Sequence, residues 1–361
     1  MALRFEFFKK KKHVQPLTVF EKPAEVNTQD MIHIGSFQNK KPTYINLPDY
    51  SENGLRFVII GQSGSGKSFL TRVVIEEFIT KGRRTVTFDP EGEWYSLKPL
   101  AKDKILVIGG DNGISLGVDP DDDEYQFNDE AVQAIADVVV PKIKWLLTDK
   151  GRSIVFDLSN FEDEEQQSIY ALISGILFRM QKEQKKTVFV MVDEASLFAP
   201  QNDAANPKKL ESGKKLNTKS VSKRNAKRGR KIGLRQGYAL QRPADFNKGV
   251  LANCTLRFVG RIEEQNDFEA VKHLFQNLEL ERFPLIQKLR KEQEDKAAFM
   301  AVNKASGRTL KKLNRDDELF TLLKSLTPGQ FFMIQKGTIE LVQVKSKTKT
   351  VHVGSTPEDD Y

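Results

Sequence analysis

The sequence predicts an α/β fold: a doubly wound, mainly parallel sheet with helices on both faces and small β additions at both termini. Three observations predict it. Apolar strand patterns alternate with helical ones from about residue 52 to residue 275. The first apolar run passes through a glycine loop directly into a helix. A later run, 187–192, is apolar at nearly every position, as strands buried on both faces are.

The core elements follow one another along the chain. A strand at 57–60 precedes the glycine loop and an amphipathic helix, which stops at Gly82. A strand at 85–88 completes a βαβ unit. The remaining elements are helices at 128–148 and around 169–180, and strands at 104–108, 153–158, 187–192, 234–240 and 255–259.

Patterning divides the chain into four parts. Residues 1–50 form a basic arm and a short β cap, with two strands joined by a turn at 31–47. Residues 51–287 form the main core, and residues 288–318 form a charged helical insertion. Residues 319–361 form a β hairpin and an acidic tail.

Composition excludes several classes of protein. With 39% hydrophobic residues, the chain of 361 residues has enough apolar material for a globular core. The single cysteine, Cys254, excludes a disulfide framework and a multi-cysteine metal site within the chain, so the expected location is cytoplasmic. No integral membrane segment is expected, because no run of about 18 apolar residues is present. The net charge of +8 is a weak bias toward anionic partners.

A phosphate-binding signature lies between the first strand and the first helix. The pattern G-x-x-x-x-G-K-[ST] fits Gly61, Gln62, Ser63, Gly64, Ser65, Gly66, Lys67 and Ser68. Glycines allow backbone N–H groups to surround phosphates, and the helix N-terminus adds partial positive charge. Lys67 is expected to reach the β- and γ-phosphates and Ser68 to ligate Mg²⁺, with Phe69 completing the predicted nucleotide-binding set.

Two acids follow the most apolar strand. Asp193 is predicted to hold Mg²⁺ through a water, and Glu194 to polarise the attacking water. A solvated strand end would explain these acids without a metal. Their presence in one sheet with residues 61–68 favours the catalytic interpretation.

Further segments resemble the FtsK/HerA superfamily of pumping ATPases, and its HerA-like branch most closely. Residues 89–94 are similar to its D-x-x-G-E-[YW] motif, and residues 156–159 to its DLS strand end. Residues 229–243 and 250–254 are similar to its "GRKxG…TQRP" and "VLxNC" blocks, and residues 326–330 to its "LxPGE". The resemblance runs, with gaps, from about Ile32 to Gly354. It implies a RecA-like, usually hexameric ring that hydrolyses ATP and threads double-stranded DNA.

The resemblance also implies roles for single residues. Gln241 would sense the γ-phosphate, or alternatively satisfy backbone groups at a strand end. Arg230 would act as an arginine finger in the neighbouring subunit, or contact DNA phosphate, with Arg228 and Arg261 as the reserves. Asp89 and Glu91 would order the Mg²⁺ shell, or only cap the next turn.

A basic segment follows the two acids. Residues 207–231 contain eleven Lys or Arg against one acid, Glu211, and apolar periodicity disappears between Pro200 and Lys231. A loop over 201–231 is therefore predicted, either contacting DNA phosphates or remaining solvated without a partner. The predicted contacts are Lys208, Lys209, Lys214, Lys215, Lys219, Lys223, Arg224 and Lys227.

The sequence departs from the family in two ways that bear on its expected partner protein. Only about fifty residues precede the predicted core, which begins at residue 51. We therefore expect the small β-barrel that usually begins HerA-like proteins to be reduced here. The long basic loop at 207–231 and the charged insertion at 288–318 are also unlike a compact member of the family. These differences put the usual nuclease partner of HerA in doubt. The leading interpretation is a helicase-like ring motor that translocates double-stranded DNA. One alternative is a related motor: a viral genome-packaging ATPase with a capsid as partner, or a conjugation or type IV secretion ATPase with a secretion complex as partner. The other alternative is a non-enzymatic nucleotide switch.

Overall fold

A computed structural model describes residues 30–50, 54–148, 150–202, 210, 212, 216–302 and 313–350. Its strands are β1 Met31–Phe37, β2 Pro42–Asn46, β3 Arg56–Ile60, β4 Arg84–Asp89, β5 Ile105–Ile108, β6 Ser153–Asp157, β7 Val188–Val192, β8 Leu234–Leu240, β9 Leu256–Val259, β10 Gln330–Gln335 and β11 Thr338–Val344. Its helices are α1 Lys67–Thr80, α2 Asp129–Leu146, α3 Asp163–Gln184, α4 Ala195–Phe198, α5 Thr218–Arg228, α6 Lys248–Leu251, α7 Gln265–Val271, α8 Pro284–Val302 and α9 Arg315–Lys324.

One sheet contains all eleven strands of the described residues, in the order β2-β1-β11-β10-β9-β3-β8-β7-β4-β6-β5. The seven strands from β9 to β5 are parallel to one another. The four strands from β2 to β10 pair antiparallel, and β10 joins them to β9. The carboxyl ends of the seven parallel strands therefore meet at a single edge of the sheet.

Apolar side chains fill both faces of the sheet. On one face α1 packs over β3 and β7, where the ring centroids of Phe78 and Phe189 lie 4.4 Å apart. On the other face α2 and α3 cover β4 and β6, and Tyr170 meets Phe88 at 4.7 Å. Burial on both faces explains the continuous apolar runs of the central strands. The predicted doubly wound, mainly parallel sheet is confirmed.

The two terminal hairpins belong to the same sheet. The predicted strand pair at 31–47 is β1 and β2, and the predicted C-terminal hairpin is β10 and β11, with Lys336 and Gly337 at its turn. β1 pairs with β11 in the register Gly35 to Val344. The predicted basic arm at the N-terminus and the acidic tail lie outside the described residues. The two β additions therefore form one antiparallel extension of the core.

The prediction of a loop throughout 201–231 is wrong for residues 218–228, which form α5. The Asn217 side chain caps the helix by accepting a hydrogen bond from the Ser220 N–H. The buried face is small and largely polar, with Ser222, Asn225 and Ala226 against the core. The Ser222 hydroxyl, for example, contacts the Tyr170 hydroxyl at 2.9 Å. Because this face has almost no large apolar side chain, helical periodicity was invisible in the sequence.

The charged insertion at 288–318 is helical over most of its described part. α8 begins before it, at Pro284, and α9 crosses its predicted end, running from Arg315 to Lys324. The Asn314 side chain accepts a hydrogen bond from the Asp317 N–H in a capping box that starts α9. In the described parts of the chain, no helix has the length and apolar content needed to cross a bilayer.

Candidate nucleotide-binding site

The carboxyl ends of four parallel strands bring the predicted site residues to one edge of the sheet. Gly61 follows β3, Gln241 follows β8, and Asp193 follows β7. Asp89 is the last residue of β4. Since β3, β8, β7 and β4 are consecutive neighbours, these positions lie side by side. This edge is where ligands bind in open α/β sheets.

The loop from Gly61 to Gly66 curls tightly into the start of α1. Gly64 and Gly66 have φ values of 71° and 90°, a conformation that favours glycine. Gly66 is the N-cap of α1, which begins at Lys67. The helix thus directs its free N–H groups and partial positive charge at the space above the loop. That geometry suits a phosphate group.

Three backbone hydrogen bonds hold this loop in place. The Gly61 N–H donates to the Leu240 carbonyl at 3.2 Å, and the Gln62 N–H donates to the Arg261 carbonyl at 3.1 Å. From the C-terminal hairpin, the Gly329 N–H donates to the Ser65 carbonyl at 2.9 Å. The contact is close, because a Cβ on Gly66 would lie 2.9 Å from the Gly329 nitrogen. The motif at 326–330 therefore supports the phosphate loop, which its sequence did not indicate.

Lys67 joins the loop to the two predicted acids. Its Nζ forms an ion pair with Glu194 Oε1 and lies 3.9 Å from Asp193 Oδ1. The side chains of Lys67 and Asp193 are nearly buried, and that of Glu194 is 21% exposed. Gln241 Nε2 donates to the same Glu194 oxygen at 3.0 Å. Residues from three separate segments of the chain thus share one contact network.

Glu194 occupies a strained backbone conformation. Its φ of 39° and ψ of 50° lie in the left-handed region, which costs a non-glycine residue about 1–3 kcal/mol. The Glu194 N–H donates to Asp193 Oδ1 at 3.0 Å. The turn directs the Glu194 side chain to Lys67 and Gln241. Strain of this kind is concentrated at functional sites.

The residues present fit a magnesium–nucleotide complex. Ser68 is half-buried in the first turn of α1, next to Lys67, and Phe69 packs against the apolar cluster on that face. Within the described residues no group of three or more His, Cys, Asp or Glu could hold a metal ion. A hard cation here would therefore depend on Ser68, Asp193 and phosphate oxygens, the usual donors for Mg²⁺ in phosphate sites.

Asp89 organises the turn that follows β4. Its Oδ1 accepts the N–H groups of Glu91 at 3.2 Å and Gly92 at 2.9 Å, and its Oδ2 accepts that of Trp94 at 2.8 Å. Burial, with a smaller contribution from Asp157 and Asp193, raises the pKa of Asp89 to about 8. Glu91 itself is exposed. The contacts are those of a turn cap, and a role in the Mg²⁺ shell stays a prediction.

Trp94 is a site residue that the sequence reasoning did not single out. Its indole N–H donates to Asp193 Oδ2 at 2.9 Å, and the ring is buried. Glu93 lies beside it, and burial with the nearby Asp193 raises the pKa of Glu93. The available signal was the tryptophan that ends the motif at 89–94.

The candidate arginine fingers lie in different places. Arg230 precedes β8, at the opposite end of that strand from Gln241, and β8 alone spans about 20 Å. Arg228, at the end of α5, is also exposed. Arg261 lies beside its own phosphate loop, since a Cβ on Gly64 would lie 3.6 Å from Arg261 Nη2. Arg230 is thus too far away to act on the site of its own chain.

The predicted DNA-contacting residues divide into three groups. Lys208, Lys209, Lys214 and Lys215 lie outside the described residues. Two others contact the protein itself: Lys219 Nζ donates to the Gln201 carbonyl at 2.8 Å, and the Arg224 guanidinium lies 4.2 Å from the centre of the Phe178 ring. Lys223 is half-buried and Lys227 exposed.

The fold and this edge of the sheet together define the class of RecA-like P-loop nucleotide-binding proteins. Within that class, residues 32–124 match the family model described as helicase HerA, central domain. Over these residues, the match confirms the resemblance to the HerA-like branch of the FtsK/HerA superfamily. No curated protein matches the chain at a significant level.

The chain is similar to several solved structures, and the first of those that follow supports the fold. VirB4 of Thermoanaerobacter pseudethanolicus is 14% identical, with a TM-score of 0.56 over 90% of this chain and 99% of that one. The genome packaging NTPase B204 from Sulfolobus turreted icosahedral virus 2, in complex with ATP-gammaS, is 13% identical, with a TM-score of 0.44 over 80% and 97%. The bacterial conjugative coupling protein TrwBdeltaN70 is 13% identical, with a TM-score of 0.49 over 88% and 89%.

Proposed function

We propose that the protein is an ATPase that works as a helicase-like ring motor and translocates double-stranded DNA, with ATP hydrolysed where subunits meet. The observation that carries the proposal is the convergence of Lys67, Asp193, Glu194 and Gln241 on the space above the phosphate loop. The HerA central-domain match over residues 32–124 supports a motor ATPase of this superfamily.

The contacts of Lys67 support a mechanism in which its ammonium group exchanges the Glu194 carboxylate for the phosphates of a bound nucleotide. A bound triphosphate attracts the Lys67 ammonium through its β- and γ-phosphates, which compete with the Glu194 carboxylate for it. Glu194 is then released toward the water that attacks the γ-phosphate and accepts a proton from that water. Gln241, which donates to Glu194 at 3.0 Å, follows this movement and passes it to β8. When bound, Mg²⁺ neutralises phosphate charge.

The position of Arg230 supports hydrolysis at a boundary between subunits. It lies at the amino end of β8, and the site lies at the carboxyl end of the parallel strands. In a head-to-tail ring, the amino edge of one sheet would face the carboxyl edge of the next. Arg230 would then stabilise charge on the phosphates of its neighbour.

A second candidate is a packaging or secretion motor with the same chemistry. The observation that favours it is the pairing of β1 with β11, which makes the N-terminal hairpin an extension of the central sheet. Co-purification with a capsid or a secretion complex, as opposed to a nuclease, would favour this candidate.

The test combines ATPase, translocation and mass measurements. We expect ATP hydrolysis that duplex DNA stimulates more than single-stranded DNA, displacement of a third strand from a DNA triplex, and a mass of six subunits. Lys67→Ala should abolish hydrolysis, whereas the control Lys81→Ala, at the other end of α1, should retain it. Equal rates with and without duplex, together with no triplex displacement, would contradict DNA translocation.

A further inference from the structure

Both oxygens of Asp193 have defined partners. Oδ2 accepts the Trp94 indole N–H at 2.9 Å. Oδ1 accepts the Glu194 N–H at 3.0 Å and lies 3.9 Å from Lys67 Nζ. The indole therefore occupies one oxygen and leaves the other facing the phosphate loop. Trp94 is only 1% exposed, so water does not replace this donor.

Trp94 is itself fixed by a buried arginine. The Arg72 guanidinium carbon lies 4.9 Å from the centre of the Trp94 ring. Arg72 also donates to Ser96 Oγ at 2.9 Å and to the Glu93 carbonyl at 3.3 Å, on either side of Trp94. The Trp94 N–H donates to Asp89 Oδ2 at 2.8 Å. Neither the ring nor its backbone can shift without breaking buried contacts.

The same arginine connects Trp94 to residues 345–350, the C-terminal strap. Arg72 Nη1 donates to Thr350 Oγ1 at 2.9 Å. One turn along α1, the Glu76 carboxylate accepts the N–H groups of Lys349 at 2.6 Å and Thr350 at 2.8 Å. The strap is also tied to α1 by Lys345, whose Nζ lies 3.1 Å from Glu77 Oε1. A continuous chain of contacts thus runs from the strap to Asp193.

We infer that Trp94 is a positioning residue for Asp193, and that the C-terminal strap, acting through Arg72 and Trp94, sets the affinity of the site for Mg²⁺. This inference rests on the proposed function. Partners that orient a metal ligand typically change metal affinity by about 10- to 100-fold when they are removed. Without the indole N–H, the Asp193 carboxylate can rotate, and a nearly buried oxygen loses its donor.

The first test measures how binding of a fluorescent ATP analogue depends on Mg²⁺. Trp94→Phe keeps an aromatic ring under Arg72 and removes only the N–H donor. It should raise the Mg²⁺ concentration at half-maximal binding by about tenfold or more, and leave the affinity measured in EDTA unchanged. The matched control Trp145→Phe changes the other tryptophan, which packs on the opposite face of the sheet, and should not shift the midpoint.

The second test addresses the strap. Thr350→Val removes the hydroxyl that contacts Arg72 and should shift the Mg²⁺ midpoint in the same direction by a smaller factor. Thr338→Val removes a hydroxyl that contacts the Gln335 carbonyl in the hairpin turn and should not shift it. An unchanged midpoint in Trp94→Phe would overturn the inference. An unchanged midpoint in Thr350→Val would overturn the role of the strap.

A third measurement does not depend on the stability of Trp94→Phe. In Trp145→Phe, Trp94 is the sole tryptophan, and its emission should change when Mg²⁺ is added to the nucleotide-bound protein. No change at saturating Mg²⁺ would overturn the inference. If the wild-type protein binds nucleotide but neither the Mg²⁺ midpoints nor the Trp94 emission change, only the inference fails. If the wild-type protein binds no nucleotide, the proposed function fails.

Discussion

The N–H of Gly329 donates to the carbonyl of Ser65 at 2.9 Å, so the C-terminal hairpin holds the phosphate loop directly. Gly329 has a φ of 82°, which is unfavourable for any residue with a side chain. The hydrogen bond joins segments 264 positions apart in the sequence. The hairpin therefore contributes to the site and is more than a terminal addition to the sheet.

Gly329→Ala should lower both stability and nucleotide affinity. Alanine in this conformation costs about 1–2 kcal/mol of unfolding free energy, and relief of the strain would move the loop. We expect ATP affinity to fall about tenfold, or about 1.4 kcal/mol. The matched control is Gly337→Ala, which has a φ of 83° and no atom within 4 Å of the added Cβ. Equal loss of affinity in both variants would contradict a specific role for Gly329.

Glu194→Gln should separate binding from hydrolysis. The amide retains the size of the side chain but cannot accept a proton from water, so kcat should fall about 10²- to 10⁴-fold. ATP affinity should remain near the wild-type value, because Lys67 and the loop are intact. Isothermal titration and phosphate release measure the two quantities. Glu91→Gln is the comparison, and full turnover by Glu194→Gln with loss in Glu91→Gln would reassign the water-activating role.

Arg230→Ala should lose turnover in a way that a second mutant can rescue. A finger acting on a neighbouring subunit is worth about 10³- to 10⁵-fold in kcat. Mixed with Lys67→Ala, the Arg230→Ala protein should regain activity, since its intact site can receive the finger of its neighbour. Arg261→Ala, which lies beside its own phosphate loop, should show no rescue. Absence of rescue for Arg230→Ala at every mixing ratio would argue against action between subunits.

Replacing Lys208, Lys209, Lys214 and Lys215 by alanine should weaken duplex binding and its salt dependence together. Each lost phosphate contact reduces the slope of log K against log salt by about 0.9, so four contacts reduce it by about 3.6. Filter binding across a salt series measures the slope. The control removes equal charge from exposed positions elsewhere, at Lys98, Lys104, Lys288 and Lys291. The same slope in both variants would show that these four lysines contact DNA no more than other exposed lysines do.

Cys254 should be inert in the folded protein. Its side chain is 1% exposed, and burial raises the pKa of the thiol to about 12. The reactive thiolate becomes more abundant as pH rises, but at pH 8 it amounts to roughly one molecule in ten thousand. DTNB should therefore label the protein only after denaturation, whereas an added thiol in Ser115→Cys should react at once. Rapid native labelling of the wild-type protein would contradict this packing.

The sheet and the phosphate loop could be predicted because each depends on short stretches of sequence. β3, the glycine loop and Lys67 follow one another directly in the sequence. The spacing of apolar residues and the phosphate-binding motif therefore together predict a strand, a loop and a helix. α5 could not be predicted, because helical periodicity is a signal of large apolar residues and its buried face has Ser222 and Asn225. Asn217 is a residue type that often caps helices, but asparagine also starts turns, so its presence alone does not predict a helix.

The supporting contacts of the site could not be predicted, because they join distant segments. The indole of Trp94 and the carboxylate of Asp193 are 99 positions apart, and neither local propensity nor spacing relates them. Arg72 lies in a largely apolar stretch of α1, where its burial depends on Trp94 and Thr350. Such positions depend on packing between elements, which a single sequence does not encode in any local pattern.

The placement of β3 has a consequence for how the protein is made. Its two hydrogen-bonding neighbours, β8 and β9, are synthesised more than 170 residues later, so a ribosome-bound chain holds this strand without either partner. Closing such large loops is slow. A nascent chain can therefore acquire affinity for nucleotide only after β8 and β9 have left the ribosome, and its apolar β3 needs shielding from aggregation until then.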